Sequence, residues 1–119
     1  VYKRQVVMGE WGGLCPKKTD WFSHIDFVYS LIEQNQWSSL YWNYYFENDE
    51  FVRLMNRPYP IAVCGDIISY RTDSNERKFF MEYKVSDDYV LAETQIYVPN
   101  KGVQKFKSNY GINKIEISY

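Results

Sequence analysis

A chain of 119 residues provides about one domain and is too short for a complete (β/α)₈ barrel, which needs roughly 250 residues. Its formal net charge of −1 and scattered lysines provide no basic patch for nucleic acid, and no apolar run is long enough to span a membrane. The aromatic fraction of 19% is very high, and a surplus of Tyr and Trp suits carbohydrate or protein recognition as well as core packing.

The first predicted element is an apolar strand over residues 5–9, which is followed at once by Glu10, Trp11 and two glycines. Desolvating a carboxylate costs free energy, and the end of a strand is where a sheet opens toward a pocket. The glycines allow a sharp turn with positive φ at this point. The pattern is that of a barrel enzyme presenting a catalytic carboxylate at Glu10. The alternative is an exposed Glu at the end of an edge strand.

A helix and a second strand follow. Apolar residues recur at helical spacing over residues 21–36, and Thr19 or Asp20 can cap the helix because a short side-chain oxygen accepts from a free N–H of the first turn. A second short strand is predicted over residues 39–45. The order strand, helix, strand is that of a parallel βαβ unit with a right-handed crossover. Residues 51–55 are predicted to form one or two helical turns.

The pattern changes after a segment, residues 56–60, in which two prolines favour extended backbone. From residue 61 onward, β-branched and aromatic residues recur with period two, and turn-forming residues separate the runs. Five strands are predicted, and five or more short antiparallel strands indicate a small β-sandwich or an added sheet. The five predicted strands cover residues 67–71, 78–83, 94–98, 103–107 and 114–118.

Cysteine and histidine are sparse. Cys15 and Cys64 are either joined by one long-loop disulfide or remain two buried thiols. His24 is the only histidine and no Cys-x-x-Cys pair occurs, so a zinc site is not expected. No cofactor is predicted. The position of His24 in a helical pattern favours a surface or packing role. The chain starts with Val and enters a strand almost at once, so we expect it to be part of something longer.

Several segments resemble one enzyme family. They are the Gly-Glu-Trp-Gly motif at residues 9–12, the predicted strand that carries Trp42, the run RPYPIAVCG at residues 57–65, and TQIYVP at residues 94–99. Together they resemble the C-terminal portion of endoglycoceramidase-like enzymes, which are retaining β-glycosidases of glycoside hydrolase family 5. The resemblance covers essentially the whole chain, and Arg-Pro-Tyr-Pro followed by Ala-Val and Gly is its most specific part. Cys64 departs from the small residue, such as Ala, expected there.

The resemblance implies an α/β plus all-β fold. Residues 1–56 would be the C-terminal end of a (β/α)₈ barrel, with strand seven at 6–9, helix seven at 21–36 and strand eight at 39–45. Residues 57–119 would form an antiparallel β-sandwich domain. Glu10 would be the nucleophile, Trp42 the aromatic platform under the sugar, and Trp11 and Tyr44 further substrate-binding residues. A core position is the alternative for Trp42.

The same resemblance implies a missing catalytic partner, because the acid/base Glu of the family lies on the fourth barrel strand, upstream of residue 1. We therefore expect barrel strands one to six from a separate chain or a missing segment, and an isolated chain without activity. The expected substrate is a glycolipid or an oligosaccharide, without nucleic acid. The acidic residues on the predicted helix and in the later loop match no family motif: Asp20, Asp26, Glu33, Glu47, Asp49 and Glu50.

Two alternatives remain open. The chain could be a catalytically inactive carbohydrate-binding or structural assembly protein derived from such a hydrolase. A peripheral membrane contact is a further hypothesis, with Trp11, Leu14 and Trp21 as candidates that core burial explains equally well. The sequence does not identify the compartment; a secreted or lysosome-like one is favoured.

Overall fold

The structure, a computed structural model, describes residues 6–12, 20–43 and 47–119. The chain divides into two compact units, Val1–Met55 and Asn56–Tyr119. The elements of the first unit are β1 (Val7–Gly12), α1 (Asp20–Asn35), β2 (Ser38–Trp42) and α2 (Asp49–Met55). Those of the second are β3 (Tyr59–Ala62), β4 (Asp66–Asp73), β5 (Lys78–Val85), β6 (Glu93–Val98), β7 (Gly102–Lys107) and β8 (Gly111–Ser118).

In the first unit, β1 and β2 pair in parallel and α1 connects them, as the sequence pattern indicated. Strand β1 ends three residues later than predicted, because Glu10, Trp11 and Gly12 continue the backbone pairing with β2. Glu10 therefore lies within the strand and not after it. The predicted cap Thr19 and the glycine at position 13 lie outside the described residues.

Capping hydrogen bonds define the C-terminal end of α1 and the N-terminal end of α2. At the end of α1, Gln36 takes a φ of 54°, its N–H donates to the carbonyl of Glu33, and the N–H of Trp37 donates to the carbonyl of Ile32. This is the Schellman arrangement, which satisfies carbonyls left free at a helix end. At the start of α2, the side chain of Asn48 accepts a hydrogen bond of 2.8 Å from the N–H of Phe51, which is the usual N-cap geometry.

An aromatic core joins the elements of the first unit. Trp21, Ile25 and Phe51 are buried, and the rings of Trp21 and Phe51 stack with centroids 5.0 Å apart. Trp11 and Tyr41 pack against this cluster from the strand pair. One face of the β1–β2 pair is thus covered by residues of α1 and α2.

The second unit consists of two three-stranded antiparallel sheets, with strand orders β3-β6-β7 and β4-β5-β8. Strands of both sheets supply one hydrophobic core, so the prediction of antiparallel sheets is confirmed. Strand β5 alternates half-buried and buried residues along most of its length, which places Phe79, Met81, Tyr83 and Val85 in the core. Strand β3 was not predicted as a strand, because Pro60 falls in it. It lies at a sheet edge, where proline is tolerated.

A chain of buried hydrogen bonds crosses the second unit. The N–H of Cys64 donates to the hydroxyl of Thr94 at 3.1 Å, which lies 3.2 Å from the hydroxyl of Ser108. Ser108 in turn bonds to the hydroxyl of Tyr83 at 3.0 Å. Cys64 is a buried free thiol. Cys15, the other cysteine, lies outside the described residues.

Candidate active site on the open face of a parallel strand pair

The register of β1 against β2 decides which side chains share a face. Glu10 pairs with Leu40, Trp11 with Tyr41, and Gly12 with Trp42. Because paired residues lie on the same face and neighbours along a strand alternate, Glu10, Leu40 and Trp42 share one face, while Trp11 and Tyr41 occupy the other. The strand pair therefore brings two of the predicted site residues, Glu10 and Trp42, to one surface.

An irregularity in β1 produces this arrangement. The register shifts by one residue between Met8 and Glu10, so Gly9 is an extra residue in the pairing. Uninterrupted alternation would place Met8 and Glu10 on the same face. The bulge instead aligns Met8 with the covered face and Glu10 with the face of Leu40 and Trp42.

The face that carries Glu10 is open. Leu40 and Trp42 are 61% and 62% exposed, and Val7 and Glu10 are exposed as well. Apolar side chains of this size next to a carboxylate on one sheet face are typical of a surface that is covered or filled in the working molecule. The peptide bond from Trp42 to Asn43 is cis.

Gly12 allows the two strand ends to approach each other. Its φ is 115°, and a Cβ atom there would lie 2.5 Å from the carbonyl oxygen of Trp42 and 2.7 Å from the ring of Tyr41. A side chain at position 12 would displace the end of β2 that carries Trp42. Gly12 has the positive φ expected from the sequence, but it lies within β1 and not in a turn after the strand.

Of the two other predicted site residues, only Trp11 lies among the described residues. Trp11 packs edge-on against Tyr41 and Tyr29, with ring centroids 4.8 Å and 5.3 Å away, so the structure does not bring it to Glu10 and Trp42. Tyr44 lies outside the described residues. Leu40 was not singled out in the sequence, although the two-residue spacing to Trp42 places both on one strand face.

The described residues show no arrangement for a metal ion, since no group of three or more His, Cys, Asp and Glu side chains is gathered among them. His24 is exposed on α1. In the part of the chain that the structure describes, neither helix is long and apolar enough to cross a membrane. The site geometry thus consists of one carboxylate beside an exposed indole and an exposed aliphatic side chain.

Comparison with known proteins identifies the family. Residues 57–117, just over half of the chain, match the model for the glycoside hydrolase family 5 C-terminal domain. This chain belongs to that family. No curated protein sequence matches the chain significantly.

Solved structures show the same fold. Endo-glycoceramidase II from Rhodococcus sp. superposes with a TM-score of 0.79 at 16% identity, over 96% of this chain and 33% of that one. The lactosyl-enzyme intermediate of the same enzyme gives 0.78 at 18% identity, with the same coverage. Sterylglucosidase 1 from Cryptococcus neoformans gives 0.69 at 14% identity, over 92% of this chain and 27% of that one.

The chain therefore spans about a third of the length of the endo-glycoceramidase structures that it resembles. At sequence identities below 20%, these structural matches show a likeness of fold. The resemblance to endoglycoceramidase-like enzymes of glycoside hydrolase family 5 is confirmed at the level of family and fold.

Proposed function

We propose that this chain supplies the nucleophile and the β-sandwich of a retaining β-glycosidase that acts on glycolipids. In this proposal β1, α1 and β2 are strand seven, helix seven and strand eight of a (β/α)₈ barrel. Another polypeptide segment, on the same or a separate chain, adds strands one to six. Residues 1–56 and 57–119 are then the barrel end and the sandwich.

The observation that carries the proposal is the shared open face of Glu10 and Trp42. In a (β/α)₈ barrel, helices cover the outer face of parallel strands, and the catalytic residues lie at the carboxyl ends of the strands. The pair β1–β2 has this division, with Trp11 and Tyr41 under the helices and Glu10 and Trp42 on the opposite side. Glu10 and Trp42 both lie in the second half of their strands, toward the carboxyl ends.

The chemistry follows from two carboxyl groups about 5 Å apart. The carboxylate of Glu10 attacks the anomeric carbon and forms a glycosyl ester, while the aglycone oxygen leaves with a proton from the acid of the partner segment. The resulting carboxylate then removes a proton from water, which attacks the anomeric carbon and releases Glu10. A lactosyl-enzyme intermediate of the similar Rhodococcus enzyme supports a covalent step of this kind.

The indole of Trp42 suits the sugar. Its ring offers a flat apolar surface to the C–H bonds of a pyranose, and its high exposure leaves that surface available. Trp11 does not take part in this proposal, because its ring belongs to the aromatic core. Substrates with a lipid aglycone are proposed because the similar structures include an endo-glycoceramidase and a sterylglucosidase.

Replacing Glu10 by Gln in the intact protein tests the proposal. Removing the nucleophile should lower turnover on the order of a thousandfold or more, while binding of the sugar product changes little. Glu47→Gln is the matched control, since Glu47 is an exposed acid outside both strands, and it should leave turnover nearly unchanged. Unchanged turnover in Glu10→Gln would refute the assignment.

A second function has one observation in its favour. Tyr59 is exposed on edge strand β3, and its ring stacks on that of Tyr97 across the β3–β6 pair, with centroids 5.1 Å apart. Val103, opposite Tyr97 on β7, extends this row on the same sheet face. Such a row suits an inactive carbohydrate-binding or assembly protein. Two results together would favour this function over the enzyme. Tyr59→Ala would lose sugar binding, and Glu10→Gln would behave as the parent protein does.

A further inference from the structure

Two loops at one end of the second unit expose apolar side chains together. The β5–β6 loop, residues 86–92, carries Tyr89, Val90 and Leu91, which are all exposed, and Val90 reaches 89% exposure. The segment from β7 into β8 carries exposed Tyr110 and Ile112. The hydroxyl of Tyr110 donates to the carbonyl of Tyr89 at 3.3 Å, so the two loops are neighbours. We call these five residues the apolar tip.

The tip has a defined backbone conformation. The thiol of Cys64 donates to the carbonyl of Val90 and accepts from the N–H of Ala92, at 3.7 Å and 3.2 Å. The N–H of Tyr89 donates to the carbonyl of Ser86 at 3.1 Å. In the second loop, the side chain of Asn113 bridges the backbone of residues 109 and 111. The loops therefore present their apolar side chains outward from an ordered base.

These hydrogen bonds bear on what the tip binds. In a hydrocarbon environment no water is available, so backbone polar groups must be satisfied within the protein. At the apex, the carbonyls of Tyr89 and Val90 and the N–H of Ala92 already have partners, which lowers the cost of bringing this part of the backbone to a lipid surface. Val90 projects furthest, and a projecting aliphatic group enters lipid without needing a complementary pocket. Tyrosines on either side suit the boundary between lipid and water, because each has an apolar ring and a polar hydroxyl.

We propose that the apolar tip is a membrane-contact site that inserts into the surface of a zwitterionic lipid bilayer. This inference goes beyond the proposed function and does not depend on Glu10. It also differs from the membrane contact predicted from the sequence. Of those candidates, Trp21 is buried in the core, Trp11 packs with the tyrosines, and Leu14 lies outside the described residues.

Charge at this end of the unit selects the lipid. Four carboxylates and three ammonium groups lie beside the tip, and all seven side chains are exposed. They are Asp66, Asp87, Asp88, Glu93, Lys84, Lys105 and Lys107, and Lys105 forms a salt bridge of 3.5 Å with Glu93. The remaining excess of one negative charge is weakly repelled by anionic lipid within a Debye length of the surface. Binding should therefore be stronger on phosphatidylcholine than on vesicles that contain phosphatidylserine, and added salt should reduce the difference.

Vesicle sedimentation of the intact protein tests the proposal, with phosphatidylcholine vesicles as the probe. Val90→Asp should weaken partitioning about tenfold or more, because a carboxylate replaces the most exposed apolar group. Val103→Asp is the matched control, since Val103 is an exposed valine at the opposite end of the β6–β7 pair, and it should bind as the parent does. Glu10→Gln should also bind normally, which separates this test from that of the proposed function.

A tryptophan reporter gives a second measurement that does not rely on a weakened variant. The fluorescence of Val90→Trp should shift to shorter wavelength on phosphatidylcholine vesicles, and its binding should be tighter than that of the parent. Val103→Trp should show neither change. The proposal is overturned if Val90→Trp stays in water on these vesicles, or if Val90→Asp binds them as well as the parent. It is equally overturned if Val90→Asp leaves vesicle binding intact but releases a protein partner.

Discussion

The two units of this chain bury their apolar residues in different ways. In the second unit, both sheets contribute to one core, and Phe79, Ile96 and Val98 are completely buried. In the first unit, helices cover one face of the β1–β2 pair, while Leu40 and Trp42 on the other face remain exposed. Since burial of apolar surface is the main stabilising term in folding, the second unit has what it needs for its own stability. The first unit leaves apolar side chains exposed on the strand face that carries its candidate nucleophile, Glu10.

This contrast connects stability with function. A sheet face with apolar side chains and one carboxylate is unfavourable when exposed to water. It has the composition that is typical of the lining of a ligand pocket. Core packing alone accounts for the apolar residues of the second unit, except those of the apolar tip and the stacked pair Tyr59 and Tyr97. In the first unit, Leu40 and Trp42 form an exposed apolar face, which is the surface that the proposed barrel strands would cover.

The largest expected effect on stability comes from the core of the second unit. Phe79→Ala should lower the free energy of unfolding by about 3–5 kcal/mol, because it removes a fully buried ring and leaves a cavity. Chemical denaturation measures this change. Val103→Ala on the exposed outer face is the control, and its effect should stay within about 0.5 kcal/mol. Similar losses for both variants would contradict the assignment of the core.

Leu40→Ala sharpens the comparison, because its effect should depend on the assembly. In the isolated chain, an exposed Leu contributes little, so the change should be within about 0.5 kcal/mol. In the proposed intact barrel the same side chain would be buried, and the loss should rise to about 2–5 kcal/mol. Denaturation of both forms gives the difference, and equal effects in the two forms would mean that the open face stays uncovered.

Gly12→Ala tests the close approach of the two strand ends. A methyl group would meet the carbonyl of Trp42 and the ring of Tyr41 at a φ that favours glycine, so we expect a loss of about 1–3 kcal/mol. Hydrogen exchange should show the loosening in peptides of β1 and β2. Gly9→Ala is the control, because its Cβ would meet nothing within 4 Å. A stable Gly12→Ala chain with normal exchange would be inconsistent with this geometry.

The smallest effect is expected at the start of α2. Asn48→Ala removes the acceptor for the N–H of Phe51 and should destabilise the first unit by about 1 kcal/mol. Asn48→Ser keeps a capping oxygen and should recover most of that loss. If Ser proved no better than Ala in denaturation, the side chain of Asn48 would have no capping role.

Sequence patterns predicted the elements that depend on local signals. Helix α1 begins and ends within one residue of the prediction, because its apolar spacing is regular and it ends in polar residues. The antiparallel strands of the second unit follow from period-two alternation and turn residues. The most specific segment of the family resemblance begins at Arg57, which is also where the family model begins to match.

What the patterns could not predict depends on pairing between distant residues. The extra residue at Gly9 reverses the alternation of β1, so the faces of Glu10 and Trp11 follow only from the register with β2. Strand β3 contains a proline and is recognised by its pairing with β6. The hydrogen-bond chain from Cys64 to Tyr83 passes through Thr94 and Ser108, whose hydroxyls have no sequence signal for burial.

The central claim is that Glu10 forms a covalent bond to the sugar during turnover. A 2-deoxy-2-fluoro glycoside with a reactive leaving group should inactivate the intact protein, because the fluorine slows both formation and hydrolysis of the glycosyl ester, while the reactive leaving group restores the rate of formation. Mass spectrometry of the digested protein should then locate the added sugar on the peptide that contains Glu10. A sugar attached to any other residue, or turnover of the compound without a trapped ester, would contradict the account.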